Sequence, residues 1–210
     1  MTALCRKLHG LVRRGTLHSS PFEVGRLPVN GIYVLFEHGE ECHGGSRIVR
    51  VGTHRGDGQL RSRMLQHFVK ENKDRSIFRK NIGRALLTKA GDPYLAEWEH
   101  DRTSRVGRAQ FGNEPDPAKR QTVEGDVSRY LRDNFSFVVF KVDDKQSRLA
   151  LESKLISTVS QCEECKPSSG WLGAASPKNR IRESGLWLVN ELFKEPLSPP
   201  DLELLKTLLT

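Results

Sequence analysis

The feature that most constrains the fold is a pair of short apolar runs separated by turn-forming residues. Residues 31–37 read Gly-Ile-Tyr-Val-Leu-Phe-Glu and residues 47–53 read Arg-Ile-Val-Arg-Val-Gly-Thr. Both are rich in β-branched and aromatic side chains, which suit a pleated, half-buried surface. Between them, residues 38–46 (His-Gly-Glu-Glu-Cys-His-Gly-Gly-Ser) are turn chemistry, so the pair is expected to form a β-hairpin with a long loop. A third run, Phe-Ser-Phe-Val-Val-Phe-Lys-Val at 135–142, is the strongest strand signal in the chain.

Helical periodicity fills the space between these runs. Over 59–71, Leu60, Met64 and Phe68 recur at helical spacing, which sets Arg63 and His67 one turn apart beside the apolar stripe. A second helix is expected over 76–89, with Ile77, Phe78, Ile82, Ala85 and Leu86 inward, Arg75, Arg79, Lys80 and Arg84 outside, and Gly91-Asp92-Pro93 as its stop. A short helix is expected over 123–132 and a longer one over 146–160, where Leu149, Ile156 and Val159 form a stripe that also contains Glu152. Residues 100–121 are polar, basic and broken by Gly and Pro, which predicts a surface insertion that orders on a partner. The tail carries a turn at 170–173, a helix over 181–193 and, after Pro199-Pro200, a docking helix over 201–209. The organisation expected is a lead-in segment 1–29, a central domain 30–165 and a C-terminal extension 166–210, all in one compact unit of 210 residues.

Charge points to a polyanionic partner. The chain carries a formal net charge of +8. Residues 47–89 hold twelve basic side chains against three acidic ones, an excess larger than that of the whole chain. Candidate contacts to such a partner are Arg50, Arg55, Arg61, Arg75, Arg79, Lys80 and Arg84. The N-terminus has no apolar stretch ahead of a small-residue cleavage site, and no segment approaches membrane-spanning length, so a cytoplasmic chain without a membrane partner is expected. The four cysteines are expected to be free thiols. Cys162 and Cys165 have the spacing of half a structural zinc site, with no second pair evident.

Four residues could do chemistry on a phosphodiester. Its hydrolysis needs an activated water, neutralised phosphoryl oxygens and help for the departing oxygen. Glu152 can hold Mg²⁺ or Mn²⁺, which needs few carboxylates. Arg63 can donate paired hydrogen bonds to phosphate, Tyr33 can serve as base once its pKa is lowered, and His67 can move a proton or bind phosphate. Taken singly, each has a plainer role: a core tyrosine, a snorkelling arginine, a packed histidine, a buried salt-bridge glutamate. Their occurrence together, in this order, is what points to a site.

These residues resemble the GIY-YIG nuclease superfamily. Gly31-Ile32-Tyr33 matches its first signature, Arg50-Val51-Gly52 stands at the second, Arg63 through Phe68 matches an Arg-x-x-x-His-Phe helix pattern, and Glu152 with Leu155-Ile156 matches the metal-ligand helix. The resemblance covers about residues 30–159. It implies a mixed α/β (α+β) fold: a small three-stranded antiparallel sheet flanked by helices, here with an insertion and a C-terminal extension. It also implies metal-assisted hydrolysis of DNA, without a small-molecule cofactor, with Tyr33 as general base, Arg63 as phosphate clamp, Glu152 as metal ligand and His67 as accessory group. Cutting both strands with one site per chain would call for a homodimer or for sequential nicking, and the oligomeric state is open between them. Two departures stand out: Arg50 replaces the second signature's tyrosine, and the asparagine that many members carry after the Glu helix is missing between Glu152 and Trp171, with Gly170 near that place. They favour, as the alternative, a nucleic-acid-binding module that kept the scaffold and lost turnover.

Overall fold

In the computed structural model, which describes residues 1–209, both apolar runs become strands of one antiparallel sheet. The strands β1 (Leu17–Ser19), β2 (Gly31–Glu41), β3 (Ser46–Gly52) and β4 (Phe135–Lys141) lie in the order β1-β4-β2-β3. Central strand β2 pairs with β3 (Tyr33↔Gly52, Val34↔Val51) and with β4 (Ile32↔Phe140, Leu35↔Phe137). Being covered on both faces, it is apolar without interruption from Gly31 to Phe36. The expected hairpin is present with a shorter loop: β2 continues to Glu41 and β3 begins at Ser46, with register shifts after Leu35 and Phe36. The sheet has four strands rather than three, because the brief, largely exposed β1 joins the free edge of β4.

Alternation along β2 divides the interior in two. Ile32, Val34 and Phe36 face one core, which is closed by α1 (Thr2–Val12), by the long helix after β4, and by the C-terminal helix. Tyr33 and Leu35 face the other core, which is closed by α2 (Leu60–Phe68), α3 (Ile77–Ala90) and the helix that precedes β4. Ser76 caps α3 by accepting from the Arg79 amide, and left-handed Gly91 ends it.

Residues 100–121, expected to await a partner, are ordered. After α4 (Leu95–Trp98), α5 (Arg105–Phe111) leads into α6 (Pro117–Asn134), which starts earlier than expected because Asp116 caps it ahead of Pro117. Ion pairs Arg102–Glu97 (2.7 Å) and Lys119–Asp92 (2.5 Å) and the stacking of His100 on Phe111 hold this region to the domain. Helix α7 (Lys145–Ser160) buries Leu151, Leu155, Ile156 and Val159, while Leu149 is partly exposed rather than inward.

The tail is part of the same body. Only α8 (Asn179–Ser184) of the expected 181–193 helix forms; Gly185 ends it and the chain turns back to the sheet. There the Trp187 amide donates to the Val49 carbonyl (2.8 Å), Arg47 Nη1 to the Gly185 carbonyl (2.6 Å), and the Trp171 and Trp187 indoles to buried Glu37. Helix α9 (Pro199–Leu208), with a capping box between Ser198 and Asp201, then packs against α1.

Candidate active site

Tyr33 reaches its place because β3 carries glycine opposite it. A Cβ at Gly52 would collide with the Tyr33 hydroxyl, so the glycine of the second signature is the floor over which the phenol lies. The Tyr33 hydroxyl lies 2.8 Å from Nε2 of His67, whose Nδ1 lies 2.7 Å from the Ser76 hydroxyl. Ser76 thus caps α3 and orients the imidazole of α2 together. His67 is almost completely buried; that burial, reinforced by Arg50, Arg63 and Arg79, holds its pKa well below the usual histidine value. It is neutral at pH 7. In the tautomer that carries its proton on Nδ1, toward Ser76, Nε2 accepts the Tyr33 O–H.

Arg63 stands one turn before His67 on α2, and both line a single cleft of about 460 Å³ with Tyr33, Arg50, Arg55 and Glu152. Nη1 of Arg63 donates to the Gln66 side chain and the Arg75 carbonyl, both at 3.2 Å, and among the described residues no carboxylate pairs with it. Glu152 enters from α7 across the cleft. Burial pushes its carboxyl up to about 7, against the pull of Arg50, the Thr53 amide and Arg63, with Glu191 pushing the same way as burial. Arg50 is mostly committed: it donates to the Trp187 carbonyl and its guanidinium lies 5.1 Å from the Phe78 ring centroid, while its buried Nε has no partner among the described residues.

The loop carrying Arg55 is built rather than loose. His54 accepts from the Gly31 amide at Nε2 (3.2 Å) and bonds the Gly56 carbonyl through Nδ1 (2.6 Å), while Asn30 holds Asp57 and the Gly58 amide, both at 2.7 Å. Arg55 is left exposed at the mouth.

Of the other candidate basic residues, Arg75 is exposed beside Arg63. The rest have structural partners, which corrects the reading of residues 47–89 as a free basic surface. Arg79 is fully buried and bonds Glu124 (2.7 Å), Ser128 and the His67 carbonyl. Arg84 forms a fork on Glu99, Lys80 donates to the Glu99 carbonyl (2.6 Å), and Arg61 bonds the Leu27 and Gly25 carbonyls. The carboxylate partners of Arg79 and Arg84, Glu124 and Glu99, lie outside the 47–89 window, which is why that window looks unbalanced.

Among the polar cleft residues that the sequence does not single out are Asn81 on α3, and Asn190 and Glu191 delivered by the tail. Asn81 carries no signal of its own within the helical pattern. Asn190 gave no local signal, since its segment is brought to the cleft by long-range contacts such as Trp187 to Val49, Arg50 to the Trp187 carbonyl and Ser153 to Glu191. Gly170 does not line the cleft.

The family comparison matches the GIY-YIG domain over residues 6–210. The chain belongs to the GIY-YIG nuclease superfamily. For this GIY-YIG chain, the match takes in the N-terminal helix from residue 6 and the whole tail, in keeping with the packing of α1 and the tail on the sheet. No curated protein and no solved structure matches it. Among the described residues no helix is long and apolar enough to cross a membrane, and neither the family match nor the fold supports a homodimer.

Proposed function

We propose that this GIY-YIG chain is a metal-dependent DNA endonuclease whose reaction takes place in the cleft between α2, β3 and α7. The observation that carries the reading is the convergence there of Tyr33, Arg63, His67 and Glu152, with the phenol already hydrogen-bonded to a neutral imidazole. As water attacks phosphorus, the Tyr33 oxygen takes a proton from it while the hydroxyl proton moves to Nε2 of His67, so Tyr33 is the general base and His67 the acceptor behind it. Arg63, without a competing carboxylate, clamps the non-bridging oxygens and offsets charge that builds during attack.

Glu152 would hold Mg²⁺ or Mn²⁺. The donor set fits a hard cation: besides the carboxylate the cleft is lined by Thr53 and Asn190, which offer further oxygen donors, and no thiol lines it. A carboxyl pushed to about 7 by burial also gains most from a positive neighbour. Such an ion, once bound, supplies neutralisation of phosphoryl charge and support for the departing oxygen. Arg55 and Arg75 contact flanking phosphates, and Arg50 contributes positive potential at the floor where related chains carry a phenol. Asn190 takes the supporting position that many family members fill with an asparagine soon after the Glu helix.

Incubation of the purified chain with plasmid, branched and single-stranded DNA in Mg²⁺ or Mn²⁺ tests this. Metal-dependent cleavage of at least one substrate is expected. DNA that stays intact on all of them, alongside salt-sensitive binding, contradicts it in favour of a binding module without turnover.

A further inference from the structure

All four cysteines of the chain meet on the side of the sheet away from the cleft, although they come from three distant segments. Cys5 lies on α1, Cys42 in the β2–β3 loop, and Cys162 and Cys165 in the turn that follows α7. Cys5 and Cys165 have their sulfurs 3.4 Å apart, and Nε2 of His43 is 3.4 Å from the Cys162 sulfur. The donor atoms of Cys5, His43, Cys162 and Cys165 all lie within 4.8 Å of one another. Zinc–sulfur bonds of about 2.3 Å set neighbouring ligands of a tetrahedral ion roughly 3.5–3.8 Å apart, so the cluster is close to the size such an ion needs.

We propose that Cys5, His43, Cys162 and Cys165 form a structural zinc site that ties α1, the β2–β3 loop and the end of α7 together. Three observations select these four. His43 sits in the left-handed region (φ 52°), held there by the Cys42–Gly45 turn and by Arg13, which donates to the carbonyls of Cys42, His43 and Ser46. Its buried Nδ1 makes no hydrogen bond among the described residues but lies 3.2 Å from the Glu164 carboxylate, near enough for that group to orient a ligating imidazole, while Nε2 faces the Cys162 sulfur. His9 is ruled out as a ligand because both its nitrogens are engaged, Nδ1 with the Cys5 carbonyl (2.9 Å) and Nε2 with the Ile48 amide (3.1 Å). Cys42 is the neighbouring thiol: it donates to the Glu164 carbonyl (3.5 Å) and lies beside Cys165, outside the ligand set. Three sulfurs and one imidazole favour zinc over the hard cation of the cleft, and four protein ligands close the site to substrate.

This site stands independently of the cleft reading. Cys162 follows Glu152 by ten residues of α7 and its turn, roughly 15 Å along the axis. Zinc content of the purified full-length chain, read by elemental mass spectrometry and by release with a thiol-blocking mercurial, tests it. One zinc per chain is expected, lost in Cys162→Ser and in His43→Ala and kept in Glu152→Ala and Cys42→Ser. Metal removal by a strong chelator is expected to lower Tm by roughly 10 °C. Should the variants fail to fold, Co²⁺ titration of the reduced, metal-free wild type reads the same site through the absorption of tetrahedral thiolate-bound cobalt. Wild type without zinc and without that absorption overturns the proposal, as does iron with sulfide in zinc's place. Zinc kept in His43→Ala but lost in Cys42→Ser overturns the ligand set.

Discussion

Tyr33 and His67 share one hydrogen bond of 2.8 Å in an interior where each would otherwise be costly. Tyr33→Phe removes the proton carrier and leaves His67 Nε2 without a donor. Cleavage is expected to fall by about 10²- to 10⁴-fold. Stability is expected to fall by only about 1–2 kcal/mol, so the chain stays folded in thermal melts. Glu152 makes the opposite contribution. Its pKa is raised in the fold from 4.5 to about 7, so the native state binds more protons than the unfolded state between those values. Stability from this group therefore declines as pH rises through that window, and is unaffected below it. Glu152→Gln, free of that penalty, is expected to be roughly 1–2 kcal/mol more stable than wild type at pH 8 and equal to it at pH 4, read by denaturant titration at both. Tyr33, Arg63, His67 and Glu152 were legible as candidates because period places them on a strand and on helices and the resemblance to the family signatures groups them. Asn81, Asn190 and the cysteine cluster were not, since each depends on a contact between segments far apart in the chain.

At the scale of elements, α3 shows how charge in a sequence misleads. Arg79 and Arg84 carry the same charge as Arg75, yet one is locked to Glu124 of α6 and the other to Glu99, while Arg75 faces solvent. Glu124→Ala strands a buried guanidinium and is expected to cost about 3–5 kcal/mol in chemical denaturation. Arg75→Ala is expected to leave stability within about 0.5 kcal/mol of wild type and to lower the salt slope of DNA binding by about one unit. Equal effects of both substitutions on DNA affinity, with neither changing stability, would contradict these assignments. The hairpin, α2, α3, β4 and α7 were readable because each carries its own periodicity. β1 was not, being three residues paired through β4, and residues 100–121 were not, since their order rests on ion pairs to Asp92 and Glu97 and on contacts that composition does not reveal.

The molecule as a whole is one sheet whose β3 end borders the cleft in which we propose the reaction takes place, with the proposed zinc site on the opposite face. One face holds Tyr33 against α2 and α3; the other holds α7 and the thiols, and the tail crosses between them to bring Asn190 to the cleft. Glu152 on α7 and Tyr33 on β2 line one cleft because of that packing, which the proposed reaction at a single phosphate requires. The most direct test is single-turnover cleavage of end-labelled DNA by wild type and Glu152→Gln, with DNA affinity measured in parallel. The expected result is unchanged or tighter binding with cleavage at least about 10³-fold slower in the variant. A variant that cuts as fast as wild type would contradict the placement of the reaction in this cleft.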